Sequence, residues 1–388
     1  MWLYIILFLI PTLAFFLKKE MENNTVNFLF FYISLLALFV GMSDMFGGYD
    51  RYIYGEIFDS IADITTIDGD YIARGSFDFF AGEYGFTLLN IITSFITANR
   101  YIFILLITII IYWLLYLSLR KYTYNYPLAL ILFMGLWFYF TFTYLRQVLG
   151  ATIVWLSIDY IIKRDFKRFF IVWLVAYSMH NSAIIFFPFY FVASRKYKTS
   201  FIITIMALAL LMGITPIPDI MFNTYQSVSA IERANEYNSA GGFRIAYFIE
   251  AVFFLAMLLP YYKKIETQKY VVIFNMALIF CAILLFFIKS ENGGRLSWYY
   301  MLGVISATTY VCTKLAKKAS LSIAMIFVCL FLYIRIYNSW QLFLNLYPYK
   351  TFLTNGYRKG DYSWENYEYD HNYDQNKMYR TPFRVITK

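Results

Sequence analysis

A chain of 388 residues that is 61% hydrophobic, 22% aromatic and only 15% charged, with apolar runs that repeatedly reach bilayer length, reads as a polytopic membrane protein. Its formal charge of +9 does not point to nucleic acid, because the lysines and arginines sit in short clusters between apolar runs, as cytoplasmic loops do. Cys281, Cys312 and Cys329 lie inside apolar runs at no metal-ligand spacing, and the motifs of P-loop ATPases, His-Glu-x-x-His zinc proteases and Gly-x-Ser-x-Gly hydrolases are absent.

In chain order, a helix is predicted over residues 2–17 and a second over 26–42, with Lys18, Lys19, Glu20 and Glu22 between them. The first has no basic segment ahead of it and no cleavage pattern, so it reads as a retained helix whose N-terminus is outside. Residues 43–85 change character: Asp44, Asp50, Glu56, Asp59, Asp63, Asp68, Asp70, Asp78 and Glu83 face only Arg51 and Arg74, as expected of an outer loop. In that loop Asp59, Asp63, Asp68 and Asp70 are expected to be solvated. Residues 86–98 are too short to cross about 30 Å of hydrocarbon and are predicted to form a re-entrant or interfacial helix.

Full spans are predicted at 101–119, from Pro127 to Phe142, and at 145–162, the last placing Arg146 at its outer end and Lys163, Arg164, Lys167 and Arg168 inside. Residues 169–194 read as a broken pair of half-length helices with His180 near the outward apex. A single crossing there would put Lys263, Lys264, Lys269, Lys314, Lys317 and Lys318 outside, against the positive-inside bias. Further spans at 200–215, 244–260, 270–288, 296–312 and 320–337 complete an all-α transmembrane domain over 1–337, with about 10 full spans. A GT-C-like architecture is compatible with that count. A second outer loop occupies 215–243, and parity puts the polar tail 338–388 outside as well.

On this topology Arg146, Arg244 and Arg295 lie at the outer ends of helices while almost every lysine is inside. Guanidinium forks bind phosphate oxygens bidentately and keep their charge when partly desolvated, which suits a lipid-linked pyrophosphate. His180, the one histidine outside the tail, stands at a helix break beside Asn181 and Ser182 and is a candidate general base. Asp50 and Glu83, at the two membrane ends of the first outer loop, are alternative bases. Tyr49, Arg51, Gln147 and Asn181 are candidate substrate contacts.

Six short stretches occur in family order: Tyr49-Asp50-Arg51-Tyr52, Glu83-Tyr84-Gly85-Phe86, Leu145-Arg146-Gln147, His180-Asn181-Ser182-Ala183, Gly294-Arg295 and Tyr347-Pro348-Tyr349-Lys350. In these the sequence resembles the EpsG-like bacterial polysaccharide polymerases, related in role to the Wzy O-antigen polymerases. The resemblance implies an inverting glycosyltransferase at the outer face of the cytoplasmic (inner) membrane, using undecaprenyl-pyrophosphate-linked glycans as donor and acceptor. It also implies a chain-length regulator and a flippase of the same pathway as partners, for O-antigen, capsule or exopolysaccharide. Because the donor is already activated and arginines neutralise its leaving group, no metal and no cofactor is expected. The competing readings are a lipid-linked oligosaccharide flippase or exporter, and a metal-dependent polyprenyl-phosphate-sugar transferase using Asp44 and Asp50. An O-acetyltransferase fits poorly with so few histidines.

Overall fold

A computed structural model describes residues 1–17, 25–45, 48–80, 82–229, 242–290, 293–316, 319–340, 346–347, 349–353, 373 and 376–384, without the side chains of Tyr49 and of 225–229. The expectations for Lys18, Lys19, Glu20, Glu22, Lys317, Lys318, Pro348 and most of the tail lie outside those residues. The described chain is helical: α1 (Trp2–Phe16), α2 (Thr25–Gly41), α3 (Tyr49–Ile67), α4 (Tyr84–Ser94), α5 (Arg100–Tyr122), α6 (Tyr126–Leu136), α7 (Leu145–Trp155), α8 (Ile158–Ile162) and α9 (Phe166–Met179). There follow α10 (Phe189–Val192), α11 (Thr199–Gly213), α12 (Ile217–Ser229), α13 (Ile245–Tyr262), α14 (Gln268–Phe286), α15 (Met301–Tyr310) and α16 (Ala319–Trp340).

Local chemistry sets several starts. The Asn99 side chain accepts from the Tyr101 N–H and opens α5, which ends on Arg120 and Lys121 where cations favour the helix C-terminus. Asn125 caps the Leu128 N–H and Pro127 occupies the first turn of α6, where its missing N–H costs nothing. Asp165 accepts from the Arg168 N–H and opens α9. Helix α2 packs on α5, α5 on α7, α7 on α9, and α14 sits among α11, α13 and α15, while α1 and α16 pack on α6. The three cysteines are free and buried in this packing.

Five described helical segments are long and apolar enough to cross a membrane: Arg100–Tyr122, Leu145–Ile162, Ile245–Tyr262, Gln268–Phe286 and Ala319–Trp340. A sixth arises if Thr199–Gly213 and Ile217–Thr224, bent by 76°, make one broken span. The expected ten or so full spans are therefore not met. Apolar runs show where chain is buried from water but not where its helix stops. Helices α1 and α2 have 15 and 17 residues, about 22 and 26 Å at 1.5 Å per residue, short of a straight crossing.

The run predicted from Pro127 to Phe142 stops being α-helical at Leu136 and continues as a 3₁₀ segment, Phe138–Phe142. There the Thr141 hydroxyl donates to the Phe138 carbonyl at 2.6 Å and meets the Tyr112 hydroxyl at 2.9 Å, a side-chain alternative to the helical ladder. The run at 296–312 is likewise divided, among a 3₁₀ segment over Gly293–Tyr300, α15 and a π turn over Val311–Leu315.

Two expected loops contain helices. The first, 43–85, holds the 19-residue α3, whose Tyr54, Phe58, Ile61 and Ala62 are buried at helical spacing. The second, 215–243, holds α12. Asp59 is also not solvated: it is 5% exposed and takes hydrogen bonds from Arg100 Nη2 at 2.5 Å and Nε at 2.8 Å. Asp68, by contrast, is an exposed partner of Arg74.

Helix α9 ends at Met179, His180 is extended with φ −156° and ψ 121°, and a 3₁₀ segment runs Asn181–Phe186. The chain then folds back: Trp173 Nε1 donates to the Ala183 carbonyl at 2.9 Å, and the Phe169 and Tyr190 rings meet at 4.8 Å.

Candidate active site

Close backbone approaches bring three distant segments to one place. A Cβ on Gly85 would lie 2.2 Å from Ser178 Oγ, so only glycine lets the first turn of α4 press against the end of α9. A Cβ on Gly48 would lie 2.7 Å from the Phe142 carbonyl oxygen. The chain there reaches the start of α7, where the Asp50 N–H donates to Thr143 Oγ1 at 3.2 Å.

Glu83 is the centre of what these approaches assemble. It precedes α4, is 4% exposed, and ion-pairs through Oε2 with Arg146 Nη1. Its Oε1 accepts the Asn181 N–H at 3.1 Å and lies 2.8 Å from His180 Nδ1, close enough for ion pairing though off the ring N–H axis. Burial alone would raise the Glu83 carboxyl; the close His180 Nδ1, the Arg146 charge and the bond from the Asn181 N–H outweigh it and hold the group at about 2. The Arg146 guanidinium lies 5.1 Å from the Tyr54 ring centroid and 5.2 Å from that of Phe80. Burial pushes the Tyr54 hydroxyl upward; Arg146 opposes this, and the nearby Asp50 charge adds to it.

Arg295 is joined to this centre through its neighbours. Gln147 Nε2 donates to the Arg295 carbonyl at 3.0 Å, and the Arg295 guanidinium stands 4.8 Å over the Tyr144 ring. Two tyrosines of the same 3₁₀ segment bind the His180 turn: Tyr299 and Ser182 hydroxyls meet at 2.9 Å, and the Tyr300 hydroxyl donates to the Ile185 carbonyl at 2.7 Å. Arg244 caps α13, donates its N–H to the Ile288 carbonyl at 2.8 Å, and is one turn from Tyr247, whose ring abuts Gly294.

The structure thus gathers Glu83, Arg146, His180 and Asn181 directly, Asp50 beside them, and Gln147 and Arg295 on the adjoining face, with Arg244 reaching Gly294 through Tyr247. It places Arg51 elsewhere. That side chain is fully buried and donates to the Val40, Gly41 and Ser43 carbonyls at 2.9, 2.9 and 3.0 Å, closing the C-terminus of α2; burial lowers its pKa to about 10, still protonated at neutral pH. Tyr49 opens α3, and its side chain is outside the described part. Asp44 is engaged by the Tyr101 hydroxyl at 2.9 Å and by Lys377 at 3.5 Å. Among the described residues no three His, Cys, Asp or Glu side chains converge.

Sequence reasoning missed Tyr54, Phe80, Tyr144 and Tyr299 as parts of this site. Tyr54 was recoverable, since it stands one helical turn after Asp50 once α3 is read as a helix. The others come together only through long-range packing.

The EpsG family model matches residues 28–351, which includes every residue of this cluster. No curated protein and no solved structure matches the chain. The match covers most of the sequence and joins an all-helical architecture with several membrane-length segments: the chain is a multi-pass membrane protein of the EpsG family, a family of Wzy-like polysaccharide polymerases and glycosyltransferases.

Proposed function

We propose that the chain joins repeat units carried on undecaprenyl pyrophosphate, at the outer face of the bacterial cytoplasmic membrane. A hydroxyl of the acceptor unit bonds to the anomeric carbon of the donor glycan on the face opposite the leaving group. The bond from that carbon to the pyrophosphate oxygen breaks, and undecaprenyl pyrophosphate departs with the electron pair. The hydroxyl proton passes to His180 Nε2. Configuration inverts, and the glycan grows by one unit.

The observation that supports this reading is the contact of Glu83 with the Nδ1 side of His180, in a carboxylate already fixed by Arg146 and Asn181. A carboxylate at one ring nitrogen fixes the tautomer and leaves the other as the base. Arg295 and Arg244, with the part of the Arg146 charge that Glu83 does not balance, would stabilise the developing pyrophosphate charge. Asp50, beside Thr143, is the alternative base, and Gln147 and Asn181 adjoin the acceptor path. The scheme needs no metal. Residues 1–337 form the membrane domain in this reading, with the N-terminus and the tail outside; a flippase and a chain-length regulator would work alongside it.

The test is polymerisation of lipid-linked repeat units by the protein in vesicles, read as a glycan ladder. His180→Gln is expected to reduce elongation by about 10²- to 10⁴-fold, the usual contribution of a positioned base. Arg146→Lys is expected to shorten the ladder while leaving folded protein. A full ladder from His180→Gln would remove the base assignment. Single units stranded on the inner leaflet of mutant cells would mean that the protein translocates rather than polymerises.

A further inference from the structure

The most heavily bonded feature outside the candidate site lies beyond the family match, in the last described residues of the chain. Tyr373 is fully buried; its hydroxyl donates to Asp59 Oδ1 at 3.2 Å, and the Arg100 guanidinium sits 4.7 Å over its ring. Lys377 is 3% exposed, 3.5 Å from Asp44 Oδ2 and 5.6 Å over the Tyr101 ring. Arg380 Nη1 binds Asp63 Oδ1 at 2.6 Å. A lysine this deeply buried is tolerated only against a matched partner, so the segment is a built fit and not a tail lying on the surface.

Backbone bonds fix its register. The Asn99 amide donates to the Lys377 and Arg380 carbonyls at 2.8 and 3.2 Å, and the Ala98 N–H donates to Thr381 at 3.1 Å. Arg384 gives its N–H to Ile96 at 2.8 Å and its Nη2 to the Ala62 carbonyl at 2.7 Å. Most of the contacts fall on the C-terminal half of α3, through Asp59, Ala62 and Asp63, and on the turn between α4 and α5 with the start of α5, through Ile96, Ala98, Asn99, Arg100 and Tyr101, while Lys377 also reaches Asp44 ahead of α3. Helices α3 and α4 also touch each other there, Thr65 Oγ1 meeting Ser94 Oγ at 2.6 Å. Asp50 lies in the first turn of α3, and Glu83 immediately precedes α4.

We infer that residues 376–384, together with Tyr373, form a strap that positions the candidate site. By fastening α3 to the α4–α5 turn, the strap sets the relative placement of the two helices whose N-terminal ends carry Asp50 and Glu83. Tyr373, Lys377 and Arg380 are positioning residues and touch no substrate. The inference rests on the function proposed above for its effect on polymerisation, but the placement of α4 has its own readout.

The test uses the full chain and the partly exposed pair Asp63 and Arg380. Asp63→Arg puts two arginines together, and Arg380→Asp sets a carboxylate beside both Asp63 and Asp59, whose Oδ2 lies 3.7 Å from Arg380 Nε; the double variant relieves the repulsion at position 63 and leaves that at Asp59. In each single variant, hydrogen exchange at the Phe86 and Thr87 amides, which bond to the Glu83 carbonyl at 3.0 and 3.2 Å, is expected to speed up on the order of tenfold. Ladder length is expected to fall in parallel, and both are expected to recover in part in the double variant, relative to Arg380→Asp alone. Unchanged exchange at Phe86 and Thr87 in the single variants, or no recovery in the double, overturns the strap; so does faster exchange with an undiminished ladder. A wild-type protein that makes no ladder defeats the polymerase reading alone, and the exchange measurement then decides the strap by itself.

Discussion

Two buried arginine–carboxylate pairs lie against helix α3, and their surroundings differ. Arg146 with Glu83 and Arg100 with Asp59 are both nearly water-free, with side-chain exposures of 11% and 5% in the first and 3% and 7% in the second. Each arginine also lies over an aromatic ring, Tyr54 in one case and Tyr373 in the other. The third group separates them. Glu83 also faces His180, whose side chain is 19% exposed. Asp59 faces the hydroxyl of Tyr373, which is sealed. Burial raises the Asp59 carboxyl even against Arg100, whereas the close His180 Nδ1 and the Arg146 charge overcome burial at Glu83. A buried ion pair by itself therefore marks neither chemistry nor architecture; the titratable neighbour and its access to solvent decide.

The contrast breaks most visibly at the sealed pair. Arg100→Met leaves the Asp59 carboxylate uncompensated, and a stability loss of about 3–5 kcal/mol is expected, read as a lower thermal midpoint in detergent. Changing Asp59→Asn together with Arg100→Met should recover much of it. Recovery of folding by the double change would confirm that the pair serves architecture.

A smaller effect is expected at the open pair, because in Glu83→Gln the amide oxygen still accepts from Arg146. The folded-state value of about 2 lies below the ordinary 4.5, so the ionised group stabilises the fold fully above the ordinary value, and the contribution fades as pH falls toward 2. The gap in thermal midpoint between wild type and Glu83→Gln should narrow as pH falls from about 4.5 toward 2. A gap that widens on acidification would contradict the charge balance described for Glu83. The least effect is expected at Asp68→Ser: its pair with Arg74 is exposed, with side chains 40% and 43% accessible, and no change in midpoint or ladder should be measurable.

The all-helical, multi-span character was legible in the apolar runs, which depend on local composition, although the count of about ten full spans was not met; α9 does end beside His180, where a break was expected. The short helix before Arg100 could be read from its length alone. Helix α3 was not, although Tyr54, Phe58, Ile61 and Ala62 repeat at helical spacing, since interleaved Asp and Glu residues give it the composition of a loop. The halting of α6 at Leu136 depends on a hydroxyl contact between Tyr112 and Thr141, which no window of sequence contains. Glu83, Arg146 and His180 could each be singled out, but their meeting depends on Gly85 pressing against Ser178, and the burial of Asp59 depends on a tyrosine 314 residues away.

The burial of all three native cysteines has a practical consequence for topology. Single engineered thiols at exposed positions such as Asp68 or Ser339 would stand out against a silent background, without first stripping the natural sulfurs. Membrane-impermeant maleimides applied to intact cells would then report directly which side of the bilayer each position faces.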